Sequence, residues 1–239
     1  MSPVSISSLA LGIYGRLAGH PDDDHDCYSV FHALSSTLAW SSAIDGSTQG
    51  AWGMNDSGGP WFGDGLCGWF QVEPDGQPYP VEALTDAAVR TLERFGALEL
   101  TGFEYYVPGT DGSVMRRLLE GQAWFALAPP AGRTRVRLTL DSGASSLVVD
   151  RCDAVLEALS GYEDEGLSPT RLADDAEVAF EQPVPWRWWL GEGTPHTVTI
   201  GATATEWSPL GLGRVVARLV VACRIAGIRE PVGVRVART

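Results

Sequence analysis

The residues with the best potential for acid–base chemistry are one histidine and three carboxylates: His196, Glu192, Asp56 and Asp64. They are the polar groups nearest in sequence to two tryptophan-rich connections, and such side chains are the usual proton carriers in enzymes. An aromatic-lined pocket that brought them together would indicate an enzyme of small-molecule metabolism. We keep that function as an alternative, because nothing in the sequence requires these residues to converge.

Tryptophan is concentrated in two glycine- and proline-rich connections rather than on periodic core faces. Their residues are Trp52, Trp61 and Trp69 in the first connection, and Trp186, Arg187, Trp188 and Trp189 in the second. Tryptophan and arginine are enriched at binding hot spots, because they combine large apolar area with cation–π contacts. The two connections are therefore candidate sites for a ligand or partner. The alternative interpretation is that the rings close the ends of the core.

The segment Asp56-Ser57-Gly58-Gly59-Pro60 resembles the sequence around the nucleophilic serine of trypsin-like proteases, whose glycine amides shape an oxyanion hole. Those proteases carry the catalytic histidine and aspartate on a long β-barrel before that serine. Here only 56 residues precede the serine, and their pattern is that of a strand and a helix. We interpret the segment as a glycine-rich turn, because short motifs often match by chance.

Six possible metal ligands are crowded before the first predicted helix: His20, Asp22, Asp23, Asp24, His25 and Asp26. Acidic side chains accumulate at helix N-termini, where they cap free amides and oppose the positive end of the helix dipole. No matched ligand spacing accompanies them. We therefore expect helix capping at this place, and neither a metal nor a cofactor.

Charge and composition exclude several classes of function. All 17 basic residues are arginines, which is typical of a high-GC bacterial genome and rules out Schiff-base and P-loop lysine chemistry. The net charge of −13 disfavours nucleic acid as a partner. Residues 1–128 hold 16 carboxylates and five arginines, whereas residues 129–239 hold 14 and 12. The acidity of the first half favours a basic protein partner.

Neither a membrane span nor a secretory signal is predicted. The most apolar stretch, 215–228, is interrupted by Arg218 and Arg224, and residues 1–17 lack a basic cluster and a cleavage pattern. The four cysteines are far apart, which favours buried thiols over a zinc or redox site. We expect a cytoplasmic protein without membrane contact.

Hydrophobic periodicity predicts an α+β fold of two tandem ferredoxin-like halves, 1–128 and 129–239, each in the order β-α-β-β-α-β. The second half has strands at 133–140, 177–184, 196–207 and 233–238, with helices at 147–159 and 211–227. The first half repeats this loosely, with strands at 4–14, near 51, 68–73 and 98–107, and helices at 22–41 and 80–96. Residues 113–130 fit neither half. Such units have mainly antiparallel sheets with helices on one face, so the other face is predicted to be open.

A row of arginines is predicted on that open face. If Val136, Leu138 and Leu140 turn toward the helices, the row consists of Arg133, Arg135, Arg137 and Arg235. Like charges opposed across strands destabilise a sheet, so the row requires a negative counterpart. Glu177 and Glu181, the acidic first half, or a bound anion would each supply one.

The expected function is that of a protein-binding or regulatory protein, of immunity type, that contacts its partner through the tryptophan-rich loops and the acidic first half. The alternatives are the enzyme described above, with a small hydrophobic ligand, and a homo-oligomeric assembly subunit. The last is included because exposed sheet edges promote association.

Overall fold

A computed structural model describes residues 8–19, 26–38, 52–74, 80–109, 134–161, 167–171, 190, 194–204 and 206–239. Within these residues the chain forms eight strands and five helices. They are β1 (Leu9–Gly19), α1 (Cys27–Thr37), β2 (Trp52–Gly58), β3 (Gly63–Pro74), α2 (Val81–Glu93), β4 (Gly96–Val107), β5 (Thr134–Asp141), α3 (Leu147–Asp150), α4 (Cys152–Ser160), β6 (Ser168–Arg171), β7 (Thr197–Ala204), α5 (Pro209–Ile225) and β8 (Val232–Arg238). A helix with the length and hydropathy needed to cross a membrane does not occur in this described part.

The eight strands form one sheet in the order β2-β3-β1-β4-β8-β5-β7-β6. Every neighbouring pair is antiparallel. The prediction of a mixed helix-and-strand protein with a mainly antiparallel sheet is confirmed. At the centre of the sheet β4 pairs with β8, from Gly102 opposite Ala237 to Val107 opposite Val232, so strands of the two sequence halves meet there.

One face of the sheet packs against the helices. Alternate residues of β5, among them Val136, Leu138 and Leu140, lie in a single hydrophobic core with residues of α2, α4 and α5. Their prediction as core-facing side chains is confirmed. The remaining residues of β5, β7 and β8 point to the opposite side, which we call the second face of the sheet, because successive side chains of a strand alternate.

Side-chain caps fix the starts of two helices. Asp26 accepts a hydrogen bond from the backbone N of Ser29 at 2.7 Å at the start of α1. Ser208 accepts from Gly211 N at 3.0 Å before α5, whose first residue, Pro209, is favourable at that position. The capping prediction holds for Asp26. The other five possible metal ligands of that segment lie outside the described residues: His20, Asp22, Asp23, Asp24 and His25.

Several predicted elements differ from the structure in their bounds. β1 continues to Gly19, beyond the predicted end at residue 14, because a bulge near Tyr14 carries the strand past Gly15, where a side chain would overlap Glu99 O of β4. The predicted helix 147–159 is divided into α3 and α4 at Arg151. β7 pairs with β6 at 168–171, and the strand predicted at 177–184 lies outside the described residues, as does 113–130.

Candidate functional site

The second face of the sheet is buried at its centre, which corrects the prediction of an open face. Glu104 on β4 is 7% exposed, and Asp141 on β5 and Arg235 on β8 are each 3% exposed. Buried charges are costly unless they are paired and hydrogen-bonded. The partners of these three side chains therefore decide what the face can do.

The buried charges belong to a connected network, which we call the central ion cluster. Its members are Tyr14, Glu104, Asp141 and Arg235. Arg235 Nε donates to Glu104 Oε1 at 3.2 Å, and its Nη2 donates to Asp141 Oδ2 at 3.4 Å. Tyr14 Oη donates to Glu104 Oε2 at 3.1 Å, and the backbone N of Gly143 donates to Asp141 Oδ1 at 2.7 Å. Each of the four carboxylate oxygens thus receives a donor, which is what a stable buried ion cluster requires.

Strand register places the members of the cluster at corresponding positions of the two halves. Glu104 lies opposite Arg235 in the β4–β8 pair. On the outer sides of that pair, Glu104 lies opposite Gly12 of β1, and Arg235 lies opposite Thr139 of β5. Two residues further along β1 and β5 come Tyr14 and Asp141, so the cluster draws one member from each of the four central strands.

The arginines of the predicted row lie in different environments. Arg235 pairs with a carboxylate of the first half, Glu104, and with Asp141 of its own half. Arg135 is exposed and Arg137 is half-buried, both on the second face. Arg133 and the two glutamates that sequence offered as partners, Glu177 and Glu181, lie outside the described residues.

The first group of tryptophans does not assemble into one site. Trp52 is fully buried on the helix side, where its ring stacks on Phe31 with centroids 6.2 Å apart. Trp69 packs against the small cluster around Tyr14 on the second face. Trp61 lies between β2 and β3 and is 43% exposed. The residues of the second group lie outside the described residues: Trp186, Arg187, Trp188 and Trp189.

The connection between β2 and β3 has a shape that depends on glycine. The backbone N of Trp61 donates to Cys67 O at 2.9 Å. Gly59 has a φ of 107°, which disfavours any residue with a side chain. A Cβ at Gly58 would overlap Trp69 Nε1 and approach Trp61 Cη2 to 3.0 Å. Glycine at 58 therefore allows the two indoles to pack beside the strand, with that of Trp61 still partly in solvent.

The serine in the protease-like segment has no catalytic surroundings in the described part of the chain. Its backbone N donates to Asp56 Oδ1 at 2.8 Å, and the Ser57 hydroxyl oxygen is buried without a hydrogen-bond partner. A nucleophilic serine requires a base within hydrogen-bonding distance. The prediction of a turn is correct only for Gly59 and Pro60, because Asp56, Ser57 and Gly58 belong to strand β2.

The described acid–base candidates are not brought together. Asp64 is exposed at the start of β3, beside the carboxyl end of β1. His196 is half-buried at the start of β7, beside the carboxyl end of β5, and its backbone N donates to Gly143 O at 2.9 Å. Because β1 and β5 run in opposite directions, Asp64 and His196 lie at opposite ends of the sheet. Asp56 is exposed on the edge strand β2, and Glu192 lies outside the described residues.

The thiols are unsuited to nucleophilic chemistry. All four cysteines are free and buried. Burial raises the pKa of Cys27 and of Cys223 to about 12, and that of Cys67 to about 11. A thiol must lose its proton to react, so these residues are inert at neutral pH. Within the described ranges no group of three or more histidine, cysteine or acidic residues is arranged to hold a metal.

Sequence reasoning missed three of the four members of the central ion cluster: Tyr14, Glu104 and Asp141. A signal for Glu104 was present, because it is a charged residue between Phe103 and Tyr105 in the otherwise apolar part of β4, 102–107. Its partner is 131 residues away in the sequence, and that distance hides the pair.

Comparison with known proteins adds no name to this geometry. No protein-family model matches the chain, and no curated protein sequence matches it. The functional assignment therefore rests on the residues themselves.

Proposed function

We propose that the protein is a protein-binding or regulatory module whose acidic first half contacts a basic partner through the β2–β3 connection. The observation that carries this proposal is the position of Trp61. Its indole is 43% exposed on a connection whose glycines fit the packing of Trp61 and Trp69. A rigidly placed indole contributes large contact area at low entropic cost, which is why tryptophan dominates binding hot spots.

The charge of this region selects a basic partner. Asp56 and Asp64 are exposed on the same hairpin as Trp61. The first half as a whole holds 16 carboxylates against five arginines. Such a surface attracts a positively charged protein and raises its association rate in a salt-dependent manner.

An enzymatic function receives less support from the described residues. Asp64 and His196 lie at opposite ends of the sheet, and the cysteine thiols are buried. An immunity-type or regulatory protein requires no such convergence. Its activity is the stable occupation of a partner's surface.

The test compares three baits in extracts of the native host: wild type, Trp61→Ala and Ile225→Ala. Ile225 is 50% exposed on α5 and is the matched control for removal of an exposed apolar side chain. A basic protein retained by wild type and Ile225→Ala, but not by Trp61→Ala, is then purified and titrated. We expect a one-to-one complex whose Kd rises at least about tenfold with Trp61→Ala, and also rises with salt.

A captured protein that fails to reconstitute the complex, or whose Kd is unaffected by Trp61→Ala, would contradict the proposal. Turnover of a small molecule without a protein partner would favour the enzyme alternative. Self-association of the purified chain with Trp61 at the contact would favour the assembly subunit.

We also propose that residues 1–128 and 129–239 are tandem ferredoxin-like units. The strand order supports this: β2-β3-β1-β4 in the first half and β8-β5-β7-β6 in the second follow the same sequence of neighbours in opposite directions across the sheet. A cytoplasmic location is part of the proposal as well. Four free cysteines agree with a reducing compartment.

A further inference from the structure

Arg137 has no counter-ion among the described residues. Its side chain is half-buried on the second face of the sheet, and its Nε is buried with no hydrogen-bond partner. In the described part of the chain, no residue forms a hydrogen bond or an ion pair with its guanidinium. The carboxylates nearest along the sheet, Glu104 and Asp141, are occupied by Arg235. Within the described part of the chain, the guanidinium of Arg137 therefore has no carboxylate of its own.

The residues opposite Arg137 on the two neighbouring strands are small. In the register of the sheet, Arg137 lies between Gly201 of β7 and Ala237 of β8, which have the two smallest side chains available. Directly opposed residues are about 4.5–5.5 Å apart across strands. Neither position therefore contributes a side chain that could pair with the guanidinium. Arg135, two residues along on the same face, is exposed and adds a second positive charge.

The next position of β5 on the second face carries a spare hydroxyl donor. Thr139 and Thr199 are opposed in register, both are buried, and their hydroxyl oxygens are 3.3 Å apart. Only one of the two hydroxyls donates in that bond, so the proton of the other has no acceptor among the described residues. Thr139 is on the same face as Arg137, two residues away. An unpaired guanidinium and an unpaired hydroxyl thus lie on neighbouring positions, and both are donors.

A group of donors of this kind is complemented by an oxyanion. An oxyanion accepts hydrogen bonds from all of them and neutralises the guanidinium, which binds phosphate and carboxylate in a fork geometry. We propose that the second face of the second half binds the phosphate or carboxylate group of a small molecule at Arg137, with the unpaired hydroxyl of the Thr139–Thr199 pair as an additional donor. This site is separate from the Trp61 surface, so each proposal can fail without the other.

The test titrates ¹⁵N-labelled protein with inorganic phosphate and, in a second arm, with succinate. Wild type is compared with Arg137→Met and with Arg229→Met, the control that removes the same charge from an exposed position. We expect saturable shifts of the Arg137 Nε–H signal and of the Thr139 amide, a Kd at least about tenfold weaker in Arg137→Met, and an unchanged Kd in Arg229→Met. Tighter binding of one probe assigns the site to a phosphate or to a carboxylate ligand.

Thermal unfolding in buffer without either anion separates a binding role from a structural one. A half-buried unpaired charge destabilises the fold, so Arg137→Met should raise Tm by about 2–4 °C while abolishing the rise in Tm that phosphate or succinate causes in wild type. No saturable binding by wild type, the same Kd in Arg137→Met, or a lower Tm of Arg137→Met without anion would each overturn the proposal.

Discussion

The two halves of the sheet place different side chains at corresponding positions of the second face. In β1 these are Ala10, Gly12 and Tyr14, whereas β5 has Arg137, Thr139 and Asp141 at the matching register positions. The first half therefore closes its face by apolar packing around Tyr14 and Tyr106. The second half presents donors and charges. One strand order thus supports two surfaces with different chemistry.

Two ion pairs join the halves, one on each side of the sheet, and in both pairs the charges have the same arrangement. On the second face, Glu104 of the first half pairs with Arg235 of the second at 3.2 Å. On the helix side, Glu82 of α2 lies 3.8 Å from Arg214 of α5. In both cases the carboxylate comes from the acidic half and the arginine from the other. The uneven charge of the sequence thus partly reflects how the halves contact each other.

The largest effect is expected from Arg235→Met, which removes the cation that Glu104 and Asp141 share in the described part of the chain. Breaking a buried pair by deleting one partner costs about 3–5 kcal/mol, because the other charge remains uncompensated. Unfolding by urea measures the loss. Arg238→Met, an exposed arginine of the same strand that packs over Trp207, is the control, with an expected loss below about 1 kcal/mol. Equal losses in the two variants would show that the central ion cluster does not hold the halves together.

The corresponding residues Asp141 and Tyr14 should differ in their contribution. Asp141→Asn removes a charge from the pair with Arg235, and we expect a loss of about 2–3 kcal/mol in the free energy of unfolding. Tyr14→Phe removes only the hydroxyl that donates to Glu104, with an expected loss of about 1–2 kcal/mol. Urea unfolding of both variants shows which substitution causes the larger loss in the free energy of unfolding. The reverse order would mean that the first half contributes more to the cluster than the second.

Gly58→Ala tests the packing beneath Trp61. The added methyl group would overlap Trp69 and approach Trp61, so we expect a loss of about 1–3 kcal/mol and weaker partner binding. Gly53→Ala is the matched control on the same strand, because the nearest atom to its new methyl group is Glu73 O at 3.9 Å. Thermal unfolding and the partner titration measure both effects. Similar behaviour of the two variants would exclude a specific role for Gly58.

The smallest expected effect is the pH dependence contributed by Glu82. Burial between α2 and α5 raises the pKa of Glu82 above its usual 4.5, against the lowering effect of Arg214 and Arg218. A raised pKa means that the folded protein binds the proton more tightly than the unfolded chain. Wild type should therefore lose stability relative to Glu82→Gln as the pH rises from about 4 to 7, by less than about 1 kcal/mol. Urea unfolding across this range checks the sign, with Glu93→Gln as the exposed control. A gain in the stability of wild type relative to Glu82→Gln as the pH rises would contradict this prediction.

The sequence predicted those parts of the fold that depend on local pattern. The residue pattern in 133–140 and 233–238 indicated β5 and β8, and Asp26 occupies a cap position that short-range chemistry favours. The bulge near Tyr14 was not predictable, because it depends on contact with β4. The central ion cluster was hidden for the same reason. Its main pair requires β4 to lie beside β8, and no local signal reports that pairing.

The placement of the tryptophans of the first half is the most direct test of the proposed function. ¹⁹F NMR of protein labelled with 5-fluorotryptophan resolves each ring, and single Trp-to-Phe variants assign the signals of Trp61 and Trp52. We predict that the signal of Trp61 shifts between H₂O and D₂O and that the signal of Trp52 does not. The Trp61 signal should also change when the basic partner is added. An unchanged Trp61 signal in the complex, or a solvent-exposed Trp52, would contradict the account.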